Sequence, residues 1–594
     1  MSFLPELRAT LVRHKRPLLL GFVLSIPIFL FCLRMLMTGR NLPTGDADYL
    51  IQTVQAARIS ILDHGQFPWW NPWISGGVPL FANPQFGLLA LPTILGLVFG
   101  AVIGYKLAIL AYFLLGFYGL LLLFRRGLRT PLTTSVLLAY IWTFGTFLTY
   151  RSLGHYTFLT IQFLPYMLYF YIARDKIRYS WLYFGLSAAL AALAAAHNMT
   201  ILSYIVIAFF IVFDIVTLKL LGLKAKNKSV SLEITVVKNN LVFLVKSGAI
   251  FLLLTSYRLM FTLDYLNDYP RSQRDNPEPT VGVLKGLFAI GGPFRQFTDP
   301  PKHPQWSWME ASAYIGFTTC IAAIVIATVI WQQRKRGNWK KLFNYSPLKL
   351  LLTGLVCFAF GLGNFIGSVS PYSLLRHLPI LSSMRVASRW FVFCSLLVLL
   401  FIAAYKGARY RKIINILLLV SVLELFLISE PQLAKPYMFS STKDPKASTF
   451  QQKSHYNTMR GGVTYDENLT DATFNNYGQI IAGDSLIDTR PGSPSQLVSS
   501  RCSVDDGCNF VLSDNAVVSS WTPNKIILKR TGTGDIDLNM NPGRDWMVNN
   551  VYVFAKLRIV EPSVDFTITD ESQTIELRML PRYSVDWVAW KVHH

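Results

Sequence analysis

Residues 45–85 read GDADYLIQTVQAARISILDHGQFPWWNPWISGGVPLFANPQ and lie between apolar runs. Asp46 and Asp48 come just before a segment whose apolar positions fit one stripe of a helix, which we predict from about Tyr49 to Leu62. Prolines and paired glycines preclude a regular element after that helix, and the resulting loop is longer than a connector requires. Its Trp69, Trp70 and Trp73 are amphipathic rings, which we predict to sit at a membrane interface. Two explanations remain open: the aspartates cap the helix, or the stretch is a functional site.

Outward from this stretch, the chain repeats apolar runs of about 20 residues, the length that crosses a bilayer core. The composition agrees, because 52% of the 594 residues are hydrophobic. We therefore predict an α-helical polytopic membrane protein with about 11 transmembrane helices. The predicted spans are 18–37, 106–124, 131–149, 157–173, 180–196, 199–218, 241–257, 311–331, 348–367, 390–405 and 412–429.

The charge distribution orients these spans. The net charge is +23, but Lys and Arg fall in short clusters between the apolar runs, as the positive-inside rule expects, so nucleic acid is not an expected partner. All clusters lie on one side only if residues 86–104 do not cross the membrane, and we predict that this piece is interfacial or re-entrant. The first apolar run has no small-residue cleavage site and reads as a retained span. The N-terminus is then cytoplasmic, and the loops 38–105 and 258–310 face outward.

The composition becomes polar near residue 430, which predicts two domains: a transmembrane domain over 1–430 and an extracytoplasmic β-rich domain over 431–594. Alternating runs separated by turn residues predict strands at 525–529, 535–539 and 564–569. Cys502 and Cys508 are the only cysteines of the second domain, and outside the membrane such a close pair is expected to form a disulfide.

Ionisable residues from distant parts of the chain collect at the predicted outer face. Arg385 and Arg389 begin the tenth span there, where the positive-inside rule does not expect arginine, and a guanidinium matches phosphate geometry. The alternative is a headgroup contact. His155 and His197 lie at the outer ends of separate spans, either as structural residues or as a site. Glu310 either snorkels to the interface or points into a cavity.

Metal binding has a weaker basis. Asp46 and Asp48 have the spacing of a DxD pair that can hold a divalent cation such as Mg²⁺ or Mn²⁺ on oxygen, and Asp48 is the candidate ligand. Phosphate-binding loops and dinucleotide fingerprints are absent from the sequence. A pump driven by a nucleoside triphosphate is therefore not expected.

Several short pieces stand in a characteristic order and spacing along the chain. They are Gly45-Asp46, Gly65–Pro68, Trp70-Asn71-Pro72, Gly77–Pro79, Asn83-Pro84-Gln85, Gly154-His155, Leu164-Pro165, Ala196-His197, Glu310, Tyr314–Gly316 and Arg385–Arg389. Their order and spacing resemble those of bacterial YfhO-like membrane proteins, of the GT-C class of glycosyltransferases. Two positions depart from that pattern: Ala387 stands where Pro is frequent, and residues 542–546 spread a tighter Pro-Gly-Trp run.

The resemblance implies transfer of a sugar from a polyprenyl-phosphate carrier to an envelope glycan, lipid or protein, at the outer face of the bacterial cytoplasmic (inner) membrane and in contact with its lipids. A first-loop aspartate would be the base. Asp46 is the candidate and Asp48 the reserve, because removing the acceptor proton needs a carboxylate. The candidate groups for the donor phosphate are Arg389, Arg385 and Arg258, and those for substrate contact are His155, His197, Glu310, Trp70 and Asn71. A transporter or flippase for lipid-linked glycans is the alternative, and it predicts polar residues deep in the spans and inverted repeats.

Overall fold

The structure is a computed structural model of the whole chain. It describes residues 3–43, 46–154, 156–195, 198–222, 229–268, 312–334, 347–377, 381, 386–437, 450–453, 457–460, 463–466, 469–479, 511, 513–538, 540, 545–552 and 566–593.

Helices make up most of the described part of the chain before residue 437. They are α1 Phe3–Met37, α2 Asp46–Arg58, α3 Leu91–Phe99, α4 Ala101–Leu122, α5 Leu132–Phe144, α6 Thr146–Ser152, α7 Leu164–Ile172, α8 Ser180–Ala194, α9 Asn198–Gly222, α10 Ser229–Asp268, α11 Phe317–Arg334, α12 Pro347–Gly361, α13 Pro371–Leu375, α14 Phe391–Ala404, α15 Arg411–Leu433, α16 Leu469–Phe474 and α17 Val585–His593. Shorter helical turns of π or 3₁₀ type cover Ile59–Asp63, Leu123–Gly127, Tyr156–Phe163, Gly367–Val369 and Ala387–Trp390.

Each predicted span contains a helix. Among the described residues, five helices are long and apolar enough to cross a membrane, and a sixth is counted if the bent pair α5 and α6 is one span. Four further apolar helices are shorter, with 10–17 residues. A protein of several apolar helices is therefore confirmed, while the number of eleven crossings and their orientation stay predictions.

The piece predicted not to cross the membrane forms a short helix folded back on α4. Helix α3 has nine residues, about 14 Å, which is too short for a bilayer core. Gly100 turns the chain with a φ of 86°. A β-carbon at Gly104 would lie 2.3 Å from the backbone nitrogen of Gly96, so only glycine permits this approach of α3 to α4.

Helices α2 and α10 differ from the predicted bounds in ways that affect the candidate site. Helix α2 starts at Asp46 rather than near Tyr49, and a π-type turn, Ile59–Asp63, completes it. Helix α10 continues to Asp268, so Arg258 lies inside a helix and not in the predicted outer loop. The apolar pattern fades before the helix does, because hydrophobic periodicity reports burial in lipid and not the hydrogen-bonded end of the helix.

The C-terminal part contains several small sheets. With the two short strands of the first loop, the described strands are β1 Trp70–Asn71, β2 Val78–Pro79, β3 Gln451–Lys453, β4 Asn457–Arg460, β5 Val463–Asp466, β6 Tyr477–Gln479, β7 Ala516–Thr522, β8 Lys525–Arg530, β9 Ile536–Leu538, β10 Trp546–Val548, β11 Val551–Tyr552, β12 Phe566–Ile568 and β13 Thr574–Met579. The largest sheet has five strands in the order β11-β10-β13-β8-β7, all antiparallel. The predicted strands at 525–529, 535–539 and 564–569 appear as β8, β9 and β12.

The first loop and the C-terminal strands share one apolar core. Trp70 packs edge-on against Trp546, with ring centroids 5.6 Å apart, and Trp73 packs against Trp521 at 5.9 Å. Both loop tryptophans are 1% exposed. The prediction that these rings sit at the membrane interface is therefore wrong for Trp70 and Trp73, because the C-terminal strands cover them.

Candidate functional site

Asp46 is the first residue of α2, and its side chain is exposed. The turn after α6 approaches it closely: a β-carbon at Gly154 would lie 3.6 Å from Asp46 Cβ and 3.9 Å from Asp46 Oδ2. Tyr105 of α4 is buried and lies within electrostatic range of the Asp46 carboxylate. The first loop therefore presents a solvent-accessible carboxylate to the ends of α6 and α4.

Two arginines from distant segments meet on one phenyl ring. The guanidinium carbon of Arg151, in α6, lies 4.5 Å from the centroid of Phe158, and that of Arg389 lies 4.8 Å from the same centroid. Such cation–π contacts hold guanidinium groups in place at little cost in conformational freedom. Arg151 is 4% exposed, and Arg389 is half-buried. Of these two arginines, only Arg389 was predicted from the sequence as a contact of the donor phosphate.

Arg151 could have been found by the same signal as Arg389. It lies at the outer end of a predicted span, where the positive-inside rule does not expect a cation. It also comes three residues before Gly154, which lies next to the Asp46 side chain. Its place at the end of a span and its closeness in sequence to Gly154 make Arg151 a second candidate for anion binding, beside the Asp46 carboxylate.

Arg258 holds the end of the first loop by hydrogen bonds. Its Nη2 donates to the carbonyl oxygens of Asn83 at 2.6 Å and Phe86 at 2.5 Å, and its guanidinium carbon lies 4.9 Å from the Phe81 centroid. Its Nε and Nη1 are buried and have no hydrogen-bond partner among the described residues. Arg258 therefore positions the loop and retains two N–H donors for another acceptor.

The 3₁₀ segment Tyr156–Phe163 connects these groups. The hydroxyl of Tyr156 donates to the carbonyl of Gln85 at 3.2 Å, beside the residues that Arg258 holds, and its ring contacts Tyr105 at 6.0 Å. The ring of Phe158, two residues later, contacts the guanidinium groups of both Arg151 and Arg389. This short segment thus contacts Arg151 and Arg389 directly, and it bonds to the loop end that Arg258 holds.

Asp48 has a different environment from Asp46. It is 3% exposed, and its carboxylate accepts hydrogen bonds from the backbone N–H groups of Leu469 at 2.6 Å and Thr470 at 3.1 Å. It therefore caps the N-terminus of α16, in the C-terminal part of the chain. Burial raises the pKa of Asp48 to about 7, against the opposite effect of these hydrogen bonds, and the nearby charge of Asp471 raises it further.

The geometry of Asp48 does not fit its predicted roles as reserve base and metal ligand. Both oxygens already accept N–H groups, and the side chain has almost no contact with solvent. Capping was one of the two explanations left open for the aspartates, but the capped helix is α16 and not α2. Over the described part of the chain, no group of three or more His, Cys, Asp or Glu could hold a metal ion.

Trp70 and Asn71 are structural residues and not the predicted substrate contacts. Asn71 is 0% exposed, exchanges two hydrogen bonds with Gln52 at 3.1 and 2.9 Å, and accepts the N–H of Trp73 at 3.2 Å. Gln52 in turn donates to Thr473 of α16 at 3.1 Å. Neither Trp70 nor Asn71 has surface to offer to a ligand, because the C-terminal strands and α16 cover them.

Six residues singled out in the sequence lie outside the described residues. They are His155, His197, Glu310, Arg385, Cys502 and Cys508. The substrate-contact, phosphate and disulfide predictions for them stay predictions.

Comparison with known proteins gives structural similarity alone. No family model and no curated protein sequence matches the chain significantly. Among solved structures, the chain is similar to the arabinofuranosyltransferase AftD from Mycobacteria, with 12% identity and a TM-score of 0.43 over 77% of this chain. It spans only 31% of that protein.

A second similar structure is that of ArnT from Cupriavidus metallidurans bound to undecaprenyl phosphate. The identity is 12% and the TM-score 0.36, over 86% of this chain and 97% of ArnT. Both TM-scores are low, so we base no functional conclusion on either similarity.

Proposed function

We propose that this protein is a membrane glycosyltransferase that moves a sugar from a polyprenyl-phosphate carrier to a hydroxyl acceptor. One observation carries the proposal: the exposed carboxylate of Asp46 lies beside the turn that follows Arg151, and Arg151 shares the Phe158 ring with Arg389. A proton acceptor and two cations for a leaving phosphate are the groups that such a transfer needs.

The proposed reaction is a single displacement. The acceptor oxygen forms a bond to the anomeric carbon while the bond from that carbon to the phosphate oxygen breaks, and the electron pair leaves with the lipid phosphate. Asp46 takes the proton of the acceptor hydroxyl. The configuration at the anomeric carbon is inverted, because attack and departure occur on opposite sides.

The arginines stabilise the phosphate as its charge grows. A guanidinium can give two parallel N–H bonds to phosphate, and a site shielded from water strengthens them. Arg389 and Arg151 are the first candidates because they are held on one ring, and Arg258 adds two buried N–H donors that have no partner among the described residues. The remaining predicted contacts, His155, His197, Glu310 and Arg385, belong to the proposal on the strength of the sequence resemblance.

The proposed mechanism assigns no metal ligand among the residues that the structure describes. Asp48, the predicted ligand, has both oxygens engaged in capping α16. Transfer that is unchanged by a chelator and by added Mg²⁺ or Mn²⁺ is the expected result, and loss of transfer in the chelator would require ligands from outside the described residues.

The test is a transfer assay in liposomes with purified protein, defined polyprenyl-phosphate sugars and an envelope extract as acceptor. Asp46→Asn should reduce transfer by about 100-fold or more, the usual scale for a positioned acid–base group, without loss of donor binding. Asp63→Asn is the matched control, since Asp63 is an exposed aspartate of the same outer stretch. Equal transfer by Asp46→Asn and Asp63→Asn would contradict the proposed base.

A transporter of lipid-linked glycans is the second candidate, and one feature favours it. Helices α5 and α6 are bent by 40° at Gly145, and broken helices are common at transporter binding sites. Movement of a labelled lipid-linked sugar between leaflets, with no change in the sugar linkage, would support this reading. Retention of that movement in Asp46→Asn would favour it over transfer.

A further inference from the structure

A cavity of about 500 Å³ lies apart from the Asp46 site, at the far end of α2. Its polar lining comes from Arg40, Gln55 and Arg58, and its apolar lining from the turn between α3 and α4 and from Phe474 of α16. Gln55 and Arg58 lie more than two helical turns beyond Asp46. The cavity therefore cannot share a small ligand with the proposed transfer site.

The fold brings the backbones of the two arginines to this cavity. Arg40 lies in the turn after α1, and Lys106 of α4 holds that turn by donating to Thr38 Oγ1 and to the carbonyl of Gly39, both at 2.7 Å. Arg58 ends α2, which packs on α3 so closely that a β-carbon at Gly96 would lie 2.4 Å from Val54. Cations of separate segments thus meet at one prebuilt cavity.

Two buried polar atoms in this cavity lack partners. Gln55 is 5% exposed, and its Oε1 has no hydrogen-bond partner among the described residues; the same holds for the buried Nε of Arg58. An unmet buried donor or acceptor costs about 1–3 kcal/mol, so a ligand that supplies both partners is favoured. The Arg58 N–H requires an acceptor, and the Gln55 oxygen requires a donor.

The charge and the apolar wall define the ligand further. Arg40 and Arg58 are the charged residues of the lining, which contains no carboxylate. Val98 and Phe99 also line the cavity and are 69% and 53% exposed, at the tip of the α3–α4 hairpin. A water-soluble anion would leave these side chains uncovered, whereas a lipid would bring its own apolar part to them.

We infer that the cavity binds the headgroup of an anionic phospholipid whose phosphodiester is followed by a hydroxyl, as in phosphatidylglycerol. The phosphodiester oxygens accept from Arg40 and Arg58, and the headgroup hydroxyl donates to Gln55 Oε1. The site does not depend on the proposed transfer reaction.

The experiment measures lipid binding to the purified full chain in detergent, by native mass spectrometry and by the shift in melting temperature. The probes are phosphatidylglycerol, phosphatidylcholine and phosphatidylmethanol, which keeps the negative charge but has no hydroxyl. Phosphatidylglycerol should bind about tenfold more tightly than phosphatidylcholine, because phosphatidylcholine lacks the hydroxyl and its quaternary ammonium is repelled by the two arginines. Equal binding of these two lipids would overturn the inference.

Two variants separate the contributions. The double variant Arg40→Gln with Arg58→Gln should lose the preference for phosphatidylglycerol, whereas Arg126→Gln, an exposed arginine at the other end of α4, should keep it. Gln55→Leu should make phosphatidylglycerol and phosphatidylmethanol bind equally. Wild-type affinity in the double variant, or equal binding of phosphatidylglycerol and phosphatidylmethanol by the wild type, would contradict the assigned contacts. Melting without lipid shows whether each variant is folded.

Discussion

The carboxylate of Asp48 accepts a hydrogen bond of 2.6 Å from the backbone N–H of Leu469, 421 residues further along the chain. Asp46, two residues earlier, remains exposed. The first turn of α2 therefore carries two carboxylates with different roles. Asp46 belongs to the candidate site, and Asp48 bonds α2 to α16 in the C-terminal part. Changes at the two positions should have separable effects.

Asp48→Ala should weaken the attachment of α16 to α2. Loss of a helix cap costs about 1–2 kcal/mol, and the N–H groups of Leu469 and Thr470 would also stay buried without an acceptor. We expect a lower melting temperature, followed by tryptophan fluorescence, and faster proteolysis of the C-terminal part. Asp63→Ala, at an exposed site, should change neither.

The stability of this attachment should depend on pH. Burial raises the pKa of Asp48 to about 7, above the value near 4 of an unfolded chain, so the folded state holds the proton more tightly. The contribution is therefore complete below pH 4 and is lost as pH rises through 7. Melting temperatures between pH 5.5 and 8 should fall with pH in the wild type and change less in Asp48→Asn. Parallel profiles would assign the titration to another group.

Arg151 and Arg389 should act together on the donor. Replacing either by Ala should weaken binding of a polyprenyl-phosphate sugar by roughly 10- to 100-fold, since hydrogen bonds to charged groups contribute about 1.5–3 kcal/mol. Lys at position 389 should restore binding only in part, because it lacks the two-pronged geometry. In a double-mutant cycle read by equilibrium binding, the two losses should not be additive. Additive losses would mean that the arginines contact different groups.

The α3–α4 hairpin should not tolerate a side chain at Gly104. An alanine there would place a β-carbon 2.3 Å from the Gly96 nitrogen and force the helices apart, at a cost of about 1–3 kcal/mol. Gly248→Ala is the control, because no atom lies within 4 Å of its β-carbon position. The melting temperature of Gly104→Ala should fall, while that of Gly248→Ala should stay level or rise.

Thiol labelling in a variant without native cysteines tests the predicted orientation. Ser75 faces outward in that topology, but it is 1% exposed and unsuited to a reagent. Asp63→Cys and Arg126→Cys lie at exposed positions on opposite predicted sides. An impermeant reagent applied to intact cells should label position 63 and spare position 126. The reverse pattern would invert the topology.

The places of the helices and of several strands could be predicted because they depend on local pattern. Runs of apolar residues, turn residues and charge clusters are readable over short windows. The different environments of Asp46 and Asp48 could not be predicted from such local patterns. Two residues apart on a helix, their side chains point about 200° apart, and which one is buried depends on α16, far along the chain.

The same reason explains the errors at Trp70 and Asn71. An aromatic and polar loop outside the membrane looks like a ligand site when its cover is unknown. Here the cover is the C-terminal sheet, with Trp546 against Trp70, and α16, with Thr473 bonded to Gln52. The sequence did not predict that Arg258 holds the end of the first loop. Its acceptors are backbone carbonyls, which every residue type has and which a sequence pattern therefore does not mark.

The shared core of the first loop and the C-terminal strands has a consequence for biosynthesis. The ribosome makes Gln52 early, yet its partner Thr473 emerges 421 residues later. At about 5–20 residues per second, that interval is on the order of tens of seconds. During it Trp70 and Trp73 have no cover, so the nascent first loop is exposed to aggregation and proteases until the C-terminal strands have been made.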